Sequence, residues 1–444
     1  MTSDSASGRL SRRALLAAGG VAAGLTASGA RVAWAEDPPV GDWPASVQGD
    51  SVFIGLGCES TGPYSAQGAD LLKGYQLAIN HLNAGHELIR SMAPAAKPGI
   101  LGKKVMFQNA DTASNPNNAV QAFTRFIEQN KAVMTSGSVS SAVAIAAQKL
   151  GDREKVIYLA GISGSNETTG SDCQRYGFRA CHYGYTAAAA LAPVLAKELG
   201  TTRKAAYLVP DYTYGRTVLD SMKKFTEPLG WKTVSEQLCP LGSTDYSSYL
   251  LNMMASGADT LVDICFGADG VNSVKQANQF GALKKMQLVM PYNAPFLANE
   301  VGAEIMSGVY GTIEFWWTLQ DHNEKAKAFV TEFNKAYGYK PEWGAHTAYL
   351  QTALYARNVE KAGTFRPVEV IKAYEAGEVV DTTIGPVHWR AGDHQLIRPV
   401  YIIKGKAPKA MTSKDDFYDI VATIPGEQVT PALDVLGCKL GSYT

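Results

Sequence analysis

This chain of 444 residues predicts an α/β protein made of two sheet-and-helix blocks in tandem. Three observations carry that expectation. Short apolar runs alternate with amphipathic stretches, the signature of parallel strands covered by helices. Polar or aromatic turns recur wherever a strand hands over to a helix. The same rhythm then starts again after a cysteine-bearing loop at 173–181. The composition, 46% apolar and 18% charged, is that of a globular chain able to bury a large core.

The first block opens with a strand at 52–56 and a turn at 59–67 holding Glu59, Tyr64 and Gln67. Leu71, Leu72, Tyr75, Ala78, Ile79 and Leu82 then recur at three- and four-residue spacing, one face of a helix. In open α/β sheets, ligands bind where a strand's carboxyl end meets a helix's amino end, because free N–H groups point outward there. The turn offers hydroxyls, Tyr64 and one carboxylate, Glu59; it also reads as a simple capped helix start. A strand at 104–109 follows, then a helix at 117–129 with Ala119, Val120, Phe123, Phe126 and Ile127 inward. Strands at 132–135 and 156–160 flank a helix at 141–150. Two more polar turns stand at the same end of this sheet. One, 136–141, carries Ser138, Ser140 and Ser141; the other, 161–166, carries Ile162 and Ser163. Serines favour helix caps, but three such turns together exceed what capping needs.

The second block has a helix at 187–199, bent at Pro193, and strands at 204–209, 233–238, 260–265 and 286–290. Its turns carry Tyr214 (211–215), Phe266 and Asp269 (266–269) and Asn293 (291–293). A strand at 309–315 then leads into Trp316 and Trp317, read as packing between the blocks. Helices follow at 324–337, 345–362 and 367–376. Strands at 382–389 and 396–404 form an antiparallel pair turning at Gly392-Asp393. Late helices without a new parallel sheet are best used to complete an earlier block, so the chain crosses between blocks more than once.

Residues 1–35 read as an export signal: Ser11-Arg12-Arg13, a weakly apolar run to Ala30 and an Ala33-Trp34-Ala35 cleavage site. The paired arginines suggest the twin-arginine route. Residues 36–50 form a loosely ordered leader. Lys+Arg 41 against Asp+Glu 41 gives no basic face for nucleic acid, and no later run is apolar enough to span a membrane. The six cysteines contain no C-x-x-C pair, so zinc and thioredoxin-like readings are weak. Cys173 and Cys181 bracket a short segment and are expected to form a local disulfide. Cys239 and Cys265 end two predicted strands and are candidates for a second bridge; Cys58 and Cys438 are left unassigned.

Several segments together resemble the type I periplasmic substrate-binding proteins of ABC transporters, the branched-chain amino acid and amide group. They are G-L-G-C-E-S-T-G-P-Y-S-A-Q-G at 55–68, L-G-K-K-V at 101–105, S-G-S-V-S-S at 136–141, P-D-Y-T-Y-G at 210–215, V-K-Q-A at 274–277 and I-G-P-V at 384–387. No segment is specific alone; their order and spacing are. The resemblance implies two Rossmann-like doubly wound lobes joined by a three-crossover hinge, closing on a ligand in the cleft. Lobe 1 is expected to comprise 51–180 with 316–380, and lobe 2 to comprise 181–315 with 381–444. By the same resemblance the 137–141 turn holds a ligand's α-carboxylate, Ile162 and Ser163 add contacts, Tyr214 closes over the ligand and 266–269 form the next cleft turn. Asn293 departs from the acidic residue such amino-acid binders carry near there, which disfavours a zwitterionic ligand unless Glu59 or Asp269 supplies the charge.

Enzyme readings fare poorly. The dinucleotide fingerprint lacks its third glycine, there is no G-x-S-x-G elbow, and Ser221-x-x-Lys224 falls mid-helix without partner motifs. The seven histidines show no metal-binding spacing, and no cofactor, metal or catalytic residue is expected. The expectation is a monomeric, periplasmic solute receptor that delivers an amino acid, amide or small carboxylate to an ABC transporter permease. A periplasmic sensor for a signalling partner and an exported amide or ester hydrolase are the alternatives.

Overall fold

The computed structural model describes Val47 and residues 49–443. The export signal and most of the leader lie outside the described residues. The first block supplies β1 (Ser51–Gly57), β2 (Lys104–Asn109), β3 (Met134–Gly137), β4 (Ile157–Ala160) and β5 (Gly177–Arg179). The second supplies β6 (Lys204–Pro210), β7 (Lys232–Cys239), β8 (Thr260–Asp263), β9 (Gln287–Tyr292) and β10 (Tyr310–Ile313). The late strands are β11 (Val380–Thr382), β12 (Gly385–Arg390), β13 (Gln395–Ile397), β14 (Val400–Gly405) and β15 (Tyr418–Ile424).

One sheet runs β11-β12-β13-β5-β4-β3-β1-β2, the other β15-β14-β10-β9-β8-β6-β7. Without the late strands, both are parallel and share one order, so the blocks are two Rossmann-like lobes of the same topology. In each, the order reverses beside the first strand, at the β1/β3 and β6/β8 junctions.

Local packing follows from the sequence. Asn115 accepts hydrogen bonds from the N–H groups of Asn117 and Asn118, and Pro116 opens the helix Pro116–Glu128. That helix lies directly on β1, which is bare there: a Cβ on Gly57 would come within 2.5 Å of Phe123. Phe123, Phe126, Leu150 and Tyr158 fill this face of the first sheet. On the other face, Ser65–Ala84 packs along Trp343–Ala362, and Gly74 allows the close approach, its missing Cβ falling 2.1 Å from the Ala345 carbonyl oxygen. The late helices therefore complete lobe 1.

Three crossovers join the two sheets, after β5, after β10 and between β13 and β14, before the C-terminal segment makes its own return. A buried ion pair ties the crossovers together. Arg398 Nη1 lies 2.9 Å from Glu314 Oε2 and also donates to the Ala180 carbonyl at 3.3 Å. Thr347 Oγ1 donates to the same Glu314 oxygen at 3.1 Å, and both charged side chains are almost fully buried.

Four expectations need correction. The strand read over 396–404 breaks at Arg398-Pro399, because proline has no N–H for a ladder. Gln395–Ile397 finish in the first sheet and Val400–Gly405 begin in the second, antiparallel to β10. Residues 381–397 thus belong to lobe 1, not to lobe 2. The C-terminal segment also returns there: after Gly426–Val429 packs on the lobe 2 helix Gly184–Leu199, Tyr176 Oη donates to the Tyr443 carbonyl at 2.7 Å.

Cys173 bonds to Cys438, not to Cys181. The segment between Cys173 and Cys181 is not a free hairpin; β5 is a strand of the first sheet and carries Cys181 into the first crossover, where its buried thiol faces the Ser163 carbonyl at 3.3 Å. Cys239 and Cys265 are free thiols with sulfurs 3.7 Å apart. Their strands are not neighbours, since β6 runs between them.

Candidate functional site

The two points of strand-order reversal face each other. Lobe 1 contributes the turns after β1, β3 and β4; lobe 2 contributes those after β6, β8 and β9. Tyr64 and Tyr212 meet across the cleft, their hydroxyl oxygens 2.5 Å apart, and the Ala268 N–H donates to the Pro63 carbonyl at 2.9 Å. Between them lies a cavity of about 10 Å³, room for roughly one water molecule. Its walls are Tyr64, Val139, Ile162, Gly164, Tyr212, Tyr214, Phe266, Tyr292 and Trp343, with no charged side chain. Phe266 packs between Tyr64 (6.1 Å) and Trp343 (5.8 Å), and Tyr214 meets Tyr292 edge-on at 5.5 Å.

The turn after β3 is occupied from within. Glu59 is 1% exposed. Its carboxylate accepts from Ser138 Oγ at 2.6 Å, from the Val139 N–H at 3.0 and 3.1 Å and from the Ser140 N–H at 3.5 Å. These donors stand at the amino end of the helix Ser141–Glu154, where the backbone favours an anion. Ser138 holds the turn in the left-handed region, φ 70°, and its hydroxyl also accepts from the Ser140 N–H. Burial raises the Glu59 carboxyl, and the Ser138, Val139 and Ser140 hydrogen bonds pull it back. The donors that the resemblance assigned to a ligand's carboxylate are thus taken by the chain's own.

The other expected residues divide in two. Ser141 Oγ accepts from the Ser165 N–H at 3.2 Å, and Ser163 Oγ pairs with Thr168 Oγ1 at 2.7 Å, so both hydroxyls serve the fold. Asp269 accepts from the Gly242 N–H at 2.8 Å, and burial lifts its carboxyl to about 6. By contrast, the Gln67 amide, Ser140 Oγ, Tyr214 Oη and Asn293 Nδ2 are buried without a partner, as is Tyr292 Oη. Asn293 is held by its oxygens: Oδ1 accepts from Tyr418 Oη at 2.7 Å and its carbonyl from Trp343 Nε1 at 3.1 Å. Orphan polar atoms of this kind are rare in finished cores, and two of them, Tyr214 Oη and Tyr292 Oη, belong to residues that line the cavity.

Tyr212, Tyr292 and Trp343 were not anticipated. The first two lie in turns already marked by D-Y-T-Y-G and P-Y-N; Trp343 begins a late helix and carries no local signal. Trp316 and Trp317 lie outside this cavity. Their indole N–H groups donate to the carbonyls of Tyr418 (3.0 Å) and Asp415 (3.3 Å), between the lobes. Trp317 also borders a separate hollow of about 500 Å³ together with Phe296, Tyr339, Lys340 and Phe417.

Among the described residues, His81, His86 and Glu332 bring ligand atoms within 4.8 Å of one another. They suit a metal poorly. The two rings stack face to face at 3.9 Å, and His86 Nδ1 is used as a helix cap for the Leu88 N–H. No helix among the described residues is long and apolar enough to cross a membrane.

The family model described as periplasmic binding protein matches residues 51–410. The chain belongs to the periplasmic binding protein family. Its two lobes and three crossovers are the type I form of that family, and binding a small solute is the family role. The Leu/Ile/Val-binding protein homolog 7 of Brucella abortus is 24% identical over 331 residues, covering 72% of this chain and 79% of that protein. Among solved structures, an amino acid ABC transporter substrate-binding protein from Pseudomonas fluorescens Pf-5 is 25% identical with a TM-score of 0.77, covering 88% of this chain and 98% of that one. An ABC transporter solute-binding protein from R. palustris, solved in complex with benzoate, is 20% identical with a TM-score of 0.73, covering 88% of this chain and 100% of that one.

Proposed function

We propose that this periplasmic binding protein is an exported, monomeric solute receptor that closes its lobes on one small molecule and presents it to an ABC transporter permease. The observation that carries the reading is the cavity between the lobes, walled by aromatic side chains of both and lined by two buried hydroxyls without a partner, Tyr214 Oη and Tyr292 Oη. A solute that touches both lobes at once favours the closed state by its differential contacts. The ring walls suit a flat or apolar part of that solute. The benzoate in the R. palustris neighbour has such a ring, and the Leu/Ile/Val-binding relative is named for apolar amino acids.

The test is to purify the protein natively from its own periplasm, denature it and identify what is released by mass spectrometry. The reading expects one small molecule near one per chain. A preparation that releases nothing, and whose melting is unmoved by a panel of amino acids, amides and aromatic acids, contradicts it.

A further inference from the structure

We infer that Glu59 is a built-in occupant of the cleft's anion niche, so that this receptor takes an uncharged, hydrogen-bonding solute of the amide class and rejects its carboxylate counterpart. The inference rests on the receptor reading above and narrows its solute. Three observations lead to it.

First, the donors that make the turn after β3 attractive to an anion are already engaged. Ser138 Oγ and the Val139 N–H both reach Glu59 within 3.1 Å, and the Ser140 N–H is turned to the same oxygen. A solute carboxylate arriving there meets a carboxyl group in place, with the Val139 and Ser140 N–H groups already engaged. Second, no arginine or lysine lines the cavity to receive a carboxylate elsewhere. Burying one unpaired is strongly unfavourable. Third, the unpartnered atoms of residues lining the cavity are neutral, the hydroxyls of Tyr214 and Tyr292. An amide offers donors and an acceptor that match them without adding charge. Glu59 is therefore a specificity-determining residue that acts by filling a subsite.

The experiment compares benzamide with benzoate, a pair alike in shape and different in charge, by titration calorimetry on the wild-type chain, Glu59→Ala and Glu59→Gln. The wild type is expected to bind benzamide at least about tenfold more tightly than benzoate. Glu59→Ala empties the niche and is expected to gain benzoate affinity by about tenfold or more. Glu59→Gln still fills it and gains none. Benzoate bound by the wild type as tightly as benzamide overturns the inference, as does a folded Glu59→Ala chain with no gain. Should Glu59→Ala fail to fold, the charge of the solute released from native protein decides: an uncharged molecule supports the inference and a carboxylate overturns it. A native preparation that releases nothing counts against the receptor reading; the Glu59→Ala gain is judged on benzoate alone.

Discussion

Asp263, at the cleft end of β8, is a carboxyl whose proton the fold holds more tightly than water does. Burial lifts it from its ordinary 3.8 to about 7, while the Ser273 hydroxyl (2.6 Å) and the Cys265 N–H (2.9 Å) pull it back. Between those two values the folded chain holds a proton that the unfolded chain has released. Stability from this group is full below 3.8 and falls as pH rises through about 7. Asp263→Asn removes that dependence while keeping an acceptor for Cys265. The melting temperature of the variant, relative to wild type, is expected to climb steadily from pH 4 to pH 7; a pH-independent difference would refute the assignment. Glu59 shows how far single residues were legible. Its place in a ligand-facing turn followed from the strand-turn-helix pattern, but its partner lies 79 residues away, and no local signal tells that the carboxylate points into the serine turn. Tyr214, Phe266 and Asn293 were readable because they sit in turns at strand ends. Trp343 was not, since it reaches the cleft only through the late helix Trp343–Ala362, which packs on lobe 1.

At the scale of elements, the hinge is where the chain's order matters most. Each crossover gives one group to the buried network: the Ala180 carbonyl, Glu314 and Arg398. Removing Arg398 leaves Glu314 buried and unpaired, so Arg398→Ala is expected to lower stability by about 3–5 kcal/mol in denaturant unfolding. Glu314→Gln combined with Arg398→Met is expected to recover much of that loss, because no buried charge then remains. Equal loss in the single and double variants would show that the pair's charge is not what matters. Most strands and helices here were legible from periodicity, since parallel strands buried on both faces read as short apolar runs. The exceptions share a cause. The late strand was cut by Pro399, and lobe membership after β12 depends on which sheet edge is free, a property of the assembled lobes. The Cys173–Cys438 bridge likewise spans a sequence separation of 265, beyond any argument from spacing.

At the scale of the molecule, the two lobes share one contiguous hydrophobic cluster, joined through the hinge and the cleft aromatics. The tyrosine pair Tyr64–Tyr212 and the Ala268–Pro63 hydrogen bond are made only when the lobes are shut. Opposing them are buried polar atoms that water would satisfy in an open cleft. Without solute, that balance is expected to favour an open or mixed population; with solute bridging both lobes, the closed form wins. The most direct measurement is small-angle X-ray scattering on protein stripped of its solute, before and after the released solute is added back at saturation. The account predicts a smaller radius of gyration on adding it. A radius that stays the same in both states would contradict binding between the lobes.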